Sequence, residues 1–310
     1  MPKLNIEKST LINAPINDIY ETLSNFHKWQ AWSPWLLMEV NADVNVDEDG
    51  KHYRWEGNRV GAGNMTVLSE SDEGSAKVIK YALNFLKPWK SYADVSFVLS
   101  PTENGTKVSW TMDSSLPFFL FWMKKPTEAF VGMDYQRGLN MLKEQIEDGS
   151  IKSSLSFVGE TNFPETSYVG IKTTCDVEDI STCMARDFTK LKDFLKDAED
   201  NSVGHGLSIY HKWDIVKGKA EYTAAIAVSK APSNLPNDIV YSTIPHTSVY
   251  QITHTGDYKH LGNAWTTLYT MERNKEIKCN KAMHPFEIYE TSPDEVSAGS
   301  LITHVCFPTK

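Results

Sequence analysis

Large hydrophobic residues alternate with polar ones along much of the first half of the chain. A period of two is the period at which side chains share one face of a β-strand. Turn-forming pairs such as Asn104-Gly105 separate the alternating stretches. The pattern therefore predicts an antiparallel sheet with one apolar face. The residues on that face are Tyr81, Leu83 and Phe85, then Val95, Phe97 and Leu99, then Val108, Trp110 and Met112.

Two stretches of this half change to helical spacing. A short helix is expected after Pro15, and a long one from about Pro126 to Asp148. A straight helix cannot press flat on a curved sheet, so this helix-grip arrangement predicts a cavity between the two. The residues expected to cover the sheet from the helix are Phe130, Met133, Leu139, Met141, Leu142 and Ile146. The predicted lining of the cavity is Phe85, Phe97, Trp110, Met112 and Met133.

Residues 1–150 resemble the SRPBCC superfamily of polyketide cyclase and START-like helix-grip domains. The resemblance implies a pocket for a hydrophobic ligand and supplies no catalytic set. Trp29, Trp32 and Trp35 are expected to pack rather than to wall the pocket. The segments that carry the resemblance are Ile12 to Pro15, Trp29 to Trp35, Gly61 to Gly63, Asn104 to Trp110, Met133-Asp134 and Gly138 to Lys143.

The second half contains an internal repeat. Leu207-Ser208-Ile209-Tyr210 recurs as Phe286-Glu287-Ile288-Tyr289, and each copy has the order strand, helix, strand, strand. The helices are expected at about Ile180 to Ala198 and Lys259 to Arg273. After a polar linker at 150–156, the pattern predicts a duplicated βαββ domain over 157–310. The fold class of the whole chain is therefore α+β, with two domains.

Alternation in the strand from Phe286 assigns two faces. Apolar Phe286 and Ile288 are expected to face the helices, which sends Glu287 and Tyr289 to the opposite side. A groove between the two repeats is expected on that side, and Ser208 and Tyr210 take the equivalent places in the first copy. In the second helix, Trp265 falls on the apolar stripe and is expected in the core, while Tyr269 is left undecided.

This half resembles the GyrI-like, AraC-type effector-binding domain. In that family the glutamate of the closing E-x-Y strand faces the pocket and pairs with cationic aromatic ligands, which carries over to Glu287 with Tyr289 beside it. Some relatives look like hydrolases, and in that case Glu287 and Tyr289 would be catalytic. The segments that match are Tyr250 to Tyr258, Ala264 to Tyr269, Pro285 to Tyr289 and Phe307-Pro308. The full expected ligand-binding set is Glu287, Tyr289, Tyr210, Ser208, Tyr250, Trp213 and Tyr269.

The chemistry of Glu287 also supports a site. A carboxylate placed among aromatic residues loses solvation, so its pKa should rise unless a cation arrives. Such a group is either an anchor for a cationic ligand or a general base for water. If Glu287 has no function, it is expected to be an exposed surface residue, which is the commoner setting of glutamate.

The composition of the chain limits the kinds of partner that it is expected to bind. The net charge of −9, with no segregated basic patch, disfavours direct contact with nucleic acid. The four cysteines form no metal or redox motif, so no metal and no cofactor are expected. No signal peptide is visible, which favours a cytoplasmic protein. The apolar run Phe118 to Met123 is too short to span a bilayer; it could touch a membrane, although such runs are more often buried.

Three functions remain open at this point. The first is a binding module: a sensor, carrier or sequestering protein for hydrophobic, possibly cationic aromatic compounds. The second is a hydrolase or detoxifying enzyme that uses the groove at Glu287. The third is an inhibitor or regulator that acts through a protein partner.

Overall fold

The structure, a computed structural model, describes residues 2–196 and 203–310. The chain divides into two compact units, Met1–Lys152 and Ser153–Lys310, each built from an antiparallel sheet and a few helices. The fold class is α+β, as predicted. No helix in the described ranges has the length and apolar character needed to cross a membrane.

One antiparallel sheet forms the first unit. Its spatial order is β1-β7-β6-β5-β4-β3-β2. Two α-helices accompany it, α1 (Ile16–Leu23) and α2 (Lys124–Asp148), and a 3₁₀ helix (Phe118–Met123) leads into α2. The strands are β1 (Lys3–Ile12), β2 (Asp43–Val46), β3 (His52–Glu56), β4 (Ala62–Glu73), β5 (Ala76–Lys87), β6 (Ser91–Thr102) and β7 (Gly105–Ser115).

The predicted apolar face of this sheet is the core of the unit. All the alternating residues of β5, β6 and β7 lie in it, and only Phe85 among them is partly rather than fully buried. The period-two pattern predicted this face because each strand has one buried and one solvated side.

Helix α2 covers the sheet with only part of the predicted stripe. Leu139, Met141 and Leu142 are buried against the core, but Phe130 and Met133 are exposed, Phe130 by 60%. The buried stripe runs through small Gly132 and Gly138 instead. A Cβ at Gly138 would lie 2.7 Å from the ring of Trp110, so glycine lets the helix backbone approach the sheet closely.

Aromatic rings fill the space between α2 and the sheet. Trp110 stacks on Tyr135 of α2 at 3.9 Å between ring centroids and on Phe97 at 4.8 Å. Trp29 and Trp32 pack edge-on against Trp110 and are buried, in agreement with the packing role expected for them. Phe97 and Trp110 are therefore core residues in this structure. A role of these residues in binding a ligand stays a prediction.

A single eight-stranded sheet forms the second unit, in the order β12-β9-β11-β10-β14-β15-β13-β8. The helices are α3 (Ile180–Lys196) and α4 (Gly262–Arg273), and the predicted end of the first helix at Ala198 lies outside the described residues. The strands are β8 (Ser153–Phe163), β9 (Thr166–Asp176), β10 (Val203–Asp214), β11 (Lys219–Val228), β12 (Val240–Ile244), β13 (Thr247–Gly256), β14 (Phe286–Tyr289) and β15 (Ile302–Pro308).

The two repeats meet at the middle of this sheet. The first is β9-α3-β10-β11 and the second is β13-α4-β14-β15, so the predicted order holds in both. Strands β10 and β14 pair antiparallel, with Ser208 opposite Glu287 and Leu207 opposite Ile288. The repeats thus share one continuous sheet rather than presenting two sheets to a groove. Strand β8 begins at Ser153, inside the stretch predicted as a linker.

Candidate ligand-binding site

The faces of β14 are reversed relative to the sequence prediction. Phe286 and Ile288 pack with Leu207 and Ile209 in a core on the sheet face away from α3 and α4. Glu287 therefore points toward the helices. The alternation was right, but the assignment assumed that only the helix-covered face would be apolar. The sheet of this unit buries apolar residues on both faces, so alternation alone cannot tell which face the helices cover.

Glu287 lies on the floor of the space between the two helices. Its side chain is 2% exposed. Its Oε1 accepts a hydrogen bond from Nε1 of Trp265 on α4 at 2.5 Å. Its Oε2 accepts from the hydroxyl of Tyr210 at 2.9 Å and from that of Tyr289 at 2.6 Å. The paired strands β10 and β14 and the helix α4 therefore converge on one carboxylate.

The hydroxyl of Tyr289 also contacts the side chain of Ser208. It lies 2.9 Å from Oγ of Ser208, which is fully buried. A phenol has one proton to donate, and the short contact to Glu287 uses it, so Ser208 must be the donor in its contact with Tyr289. Ser208 thus holds Tyr289 in place from the equivalent position of the first repeat.

Burial raises the pKa of Glu287 above its ordinary value, and the hydrogen bonds from Tyr289, Trp265 and Tyr210 offset only part of that effect. This is the direction that the sequence predicted. The same burial, together with the neighbouring carboxylate, raises the pKa values of Tyr210 and Tyr289 well above that of a free phenol. Both tyrosines are therefore neutral donors at physiological pH.

Aromatic rings surround the carboxylate. The ring of Tyr210 contacts that of Trp265 edge-on, 4.8 Å between centroids. Tyr289 meets Phe188 of α3 at 5.6 Å and Tyr258, just before α4, at 5.5 Å. Tyr210, Trp265 and Tyr289 are only partly buried, whereas the acid between them is almost completely buried. We refer to Glu287, Tyr210, Trp265 and Tyr289 as the aromatic site.

The other predicted residues lie at the margin of the site or away from it. Trp213 is exposed, with its ring 6.0 Å from that of Tyr210. Tyr269 is exposed on α4 beside Trp265, at 5.9 Å. Tyr250 is partly buried in the core under α4. Phe85, Phe97, Trp110, Met112 and Met133 all belong to the first unit.

Sequence reasoning missed Trp265, which it placed in the core. The available signal was Tyr269 one helical turn later, since two large rings with polar edges on one helix face are unusual in a purely apolar stripe. Phe188 and Tyr258 were also missed, because their contacts with Tyr289 depend on how α3 and the start of α4 cross the sheet.

Comparison with known families identifies both halves. Residues 3–147 match the family model for polyketide cyclase / dehydrase and lipid transport. Residues 158–310 match the model for the GyrI-like small molecule binding domain. In class, the chain is a helix-grip domain joined to a duplicated βαββ small-molecule-binding domain. It belongs to these two families: its first half is a polyketide cyclase-type domain and its second half is a GyrI-like domain.

Solved structures resemble the chain in fold at low sequence identity. The EcmrR–DNA complex is 15% identical, covers 60% of this chain and 68% of its own, and gives a TM-score of 0.45. SAV2435 bound to tetraphenylphosphonium is 17% identical over 49% of this chain and 92% of its own, with a TM-score of 0.36. The Aha1 dimer from Colwellia psychrerythraea is 22% identical over 47% of this chain and 98% of its own, with a TM-score of 0.33. No curated protein matches the chain.

Replacing Glu287 with glutamine is expected to stabilise the ligand-free protein at neutral pH. The pKa of Glu287 is raised in the folded state, so its ionised form is less favourable there than in the unfolded chain. Below the unfolded pKa both states are protonated and the cost is absent; above the raised folded pKa the cost is complete. Wild-type stability therefore falls as pH rises through this range, whereas that of Glu287→Gln does not.

The difference is expected to reach on the order of 1 kcal/mol at neutral pH. Thermal unfolding of both proteins across a pH series measures it. The amide oxygen can accept from Trp265, and the amide NH₂ can donate to the hydroxyls of Tyr210 and Tyr289, whose hydrogen bonds to the side chain are then reversed in direction. The exposed neighbour Glu290 provides the control Glu290→Gln, which should show no such trend. A melting temperature of Glu287→Gln at or below that of wild type at every pH would contradict the effect of burial.

Proposed function

We propose that this protein is a sensor or carrier of amphipathic, cationic aromatic compounds, which it binds at the aromatic site of its GyrI-like domain. One observation carries the proposal: a buried carboxylate, Glu287, whose hydrogen-bond donors among the described residues are all uncharged. A buried charge without a countercharge is costly, and a cationic ligand would supply the missing partner.

The negative charge of Glu287 can act on a ligand through the rings of the aromatic site. Trp265, Tyr210 and Tyr289 each donate a hydrogen bond to the carboxylate, which polarises their rings and makes the ring faces more negative. A cation that lies on such faces gains about 1–2 kcal/mol per well-placed ring. The ligand therefore needs no direct contact with Glu287, which is almost completely buried.

The binding role is preferred to the hydrolase because both carboxylate oxygens are occupied. A general base must hold a water molecule or a substrate proton within hydrogen-bond reach. Three protein donors already bind the two oxygens of Glu287, and each donor lowers the basicity of the carboxylate. Catalysis would require one of these donors to leave first.

Calorimetric titration with two triaryl phosphorus compounds tests the proposal. Tetraphenylphosphonium combines aryl surface with a delocalised positive charge, and triphenylphosphine oxide presents similar rings without the charge. Preferential binding of the cation supports the proposal. Equal binding of the two compounds, or binding of neither, would reject a site selective for cations.

The affinity for the cation is also expected to depend on pH. Because the pKa of Glu287 is raised in the free protein, the carboxyl must release a proton when a cation binds below that pKa. The dissociation constant should therefore rise as pH falls, by at most about tenfold per pH unit below the raised pKa. Titrations at several pH values in buffers of different ionisation enthalpy measure both the slope and the proton release. A flat profile with no proton release would show that Glu287 does not respond to the bound charge.

A further inference from the structure

The apolar run that precedes α2 is exposed. Four aromatic side chains in the 3₁₀ helix Phe118–Met123 have between 61% and 75% of their surface accessible, and none of the six residues is buried. The sequence favoured burial for this run, so the structure corrects that expectation. The four side chains are Phe118, Phe119, Phe121 and Trp122.

A fifth exposed ring lies at the same end of the sheet. Trp89, 71% exposed, sits in the hairpin between β5 and β6. Ala93 near the start of β6 pairs with Ser114 near the end of β7, three residues before Pro117 and the 3₁₀ helix. The hairpin and the 3₁₀ helix therefore lie at the same end of the strands. We call Trp89, Phe118, Phe119, Phe121 and Trp122 the aromatic end.

Lysines border the aromatic end in both segments. Lys90 follows Trp89 and Lys125 lies next to the start of α2, and both are exposed. Lys124 pairs with Glu128 at 3.7 Å, and Lys87 pairs with Glu56 at 2.5 Å, so these two charges are partly neutralised. Two exposed carboxylates, Asp94 and Asp113, lie further into β6 and β7, so in the chain the lysines are the charges next to the rings. An anionic surface that meets the rings would also meet these lysines, although the whole chain carries −9.

We propose that the aromatic end docks on the surface of a lipid bilayer that contains anionic phospholipid. Tryptophan and phenylalanine favour the boundary between headgroups and acyl chains, and lysines beside them favour anionic headgroups. Phe118 and Phe119 meet edge-on at 5.9 Å, and each of the five residues keeps more than half of its surface accessible. Accessible rings of this kind suit insertion into a fluid layer. The argument is independent of the aromatic site at Glu287.

Charge favours a bilayer over a second copy of the chain. A symmetric dimer through this surface would bring the lysine-bordered surface of one copy against the same surface of the other. Like charges across an interface oppose association. An anionic bilayer would instead place phosphate groups against these lysines.

Vesicle flotation of the full chain tests the proposal. The protein is mixed with phosphatidylcholine vesicles, or with phosphatidylcholine–phosphatidylglycerol vesicles, and the bound fraction is measured as a partition coefficient. The test variant is Phe119→Ser/Phe121→Ser/Trp122→Ser, which changes only exposed residues. The matched control is Leu11→Ser/Leu68→Ser, since both leucines are exposed in the same domain and Leu11 lies at the other end of β1.

We expect the wild type and the control to float with the anionic vesicles and the test variant to lose at least about tenfold in partition coefficient. Lys90→Gln/Lys125→Gln should weaken binding to anionic vesicles by about fivefold per lysine, with no change on neutral ones. Brominated lipid should quench wild-type tryptophan emission more than that of Trp122→Phe.

Three results would overturn the proposal. The first is a wild type that floats with neither kind of vesicle. The second is a test variant that floats as well as the wild type. The third is a wild type that sediments as a dimer, becomes monomeric in the test variant and binds no vesicles, which would assign the aromatic end to self-association.

Discussion

Glu287→Gln is expected to reduce the affinity for tetraphenylphosphonium by about a hundredfold at neutral pH. A cation on the rings of the aromatic site would lie about 6 Å from the carboxylate, where the attraction at an effective dielectric constant of 20 is about 3 kcal/mol. The glutamine keeps the shape of the side chain and an acceptor for Trp265, but its NH₂ donates to the tyrosine hydroxyls from which Oε2 accepted. The neutral ligand therefore serves to separate the effect of charge from that of the reversed hydrogen bonds. Binding of triphenylphosphine oxide should change little.

Glu290→Gln is the matched control for this experiment. Glu290 follows β14 directly and is exposed, with its carboxylate 3.7 Å from ring nitrogens of His205 and His304. It carries the same charge as Glu287 a short distance away, in a solvated setting. Its replacement should change the affinity for the cation by less than about twofold, because solvent and salt screen an exposed charge. If the two variants lose the same affinity, the effect belongs to net charge and not to the site. If Glu287→Gln binds the cation like wild type, the proposed function fails.

Trp110→Ala is expected to have the largest effect on stability, about 3–5 kcal/mol. Trp110 is fully buried and stacks between Phe97 and Tyr135, with Trp29 and Trp32 against its edges. Removing the indole would leave a cavity that these rings cannot close. Urea denaturation of the full chain, followed by hydrogen exchange of peptides from β7 and α2, measures the loss in the first domain.

Trp89→Ala is the control for this prediction. It removes the same side chain from an exposed position, where the expected change is within about 0.5 kcal/mol. A cost for Trp110→Ala below about 1 kcal/mol would show that Trp110 lines a space already open to ligand or solvent. That outcome would restore the ligand-binding role predicted for Trp110 from sequence.

Local patterns predicted the elements of both domains well. The faces of β5, β6 and β7 followed from alternation, because one side of that sheet is solvated and the two environments select different residues. The repeat in the second half predicted that Ser208 holds the place equivalent to Glu287, and the structure pairs these two residues across β10 and β14. Burial of Glu287 and the raised pKa of its carboxyl agree with the sequence argument.

Other features depended on packing between distant segments. By helical spacing alone, Phe130 and Met133 fit an apolar stripe just as well as the residues that are in fact buried. The close approach of the backbone at Gly138 decides which of these residues meet the sheet. The run Phe118 to Met123 looks like core by composition, yet it is exposed. Composition measures the preference of a residue for burial, and it does not show whether any surface is available to bury it.

The sequence by itself determined the two families, the strand-helix-strand-strand order of each repeat, and the presence of an acid beside a tyrosine on one face of β14. Only the tertiary structure decided that this face lies under α3 and α4, that Trp265 donates to Glu287, and that the repeats share one sheet. The physical reason is that alternation fixes which residues share a face. Which of two apolar faces receives the helices is decided by contacts between residues far apart in the chain.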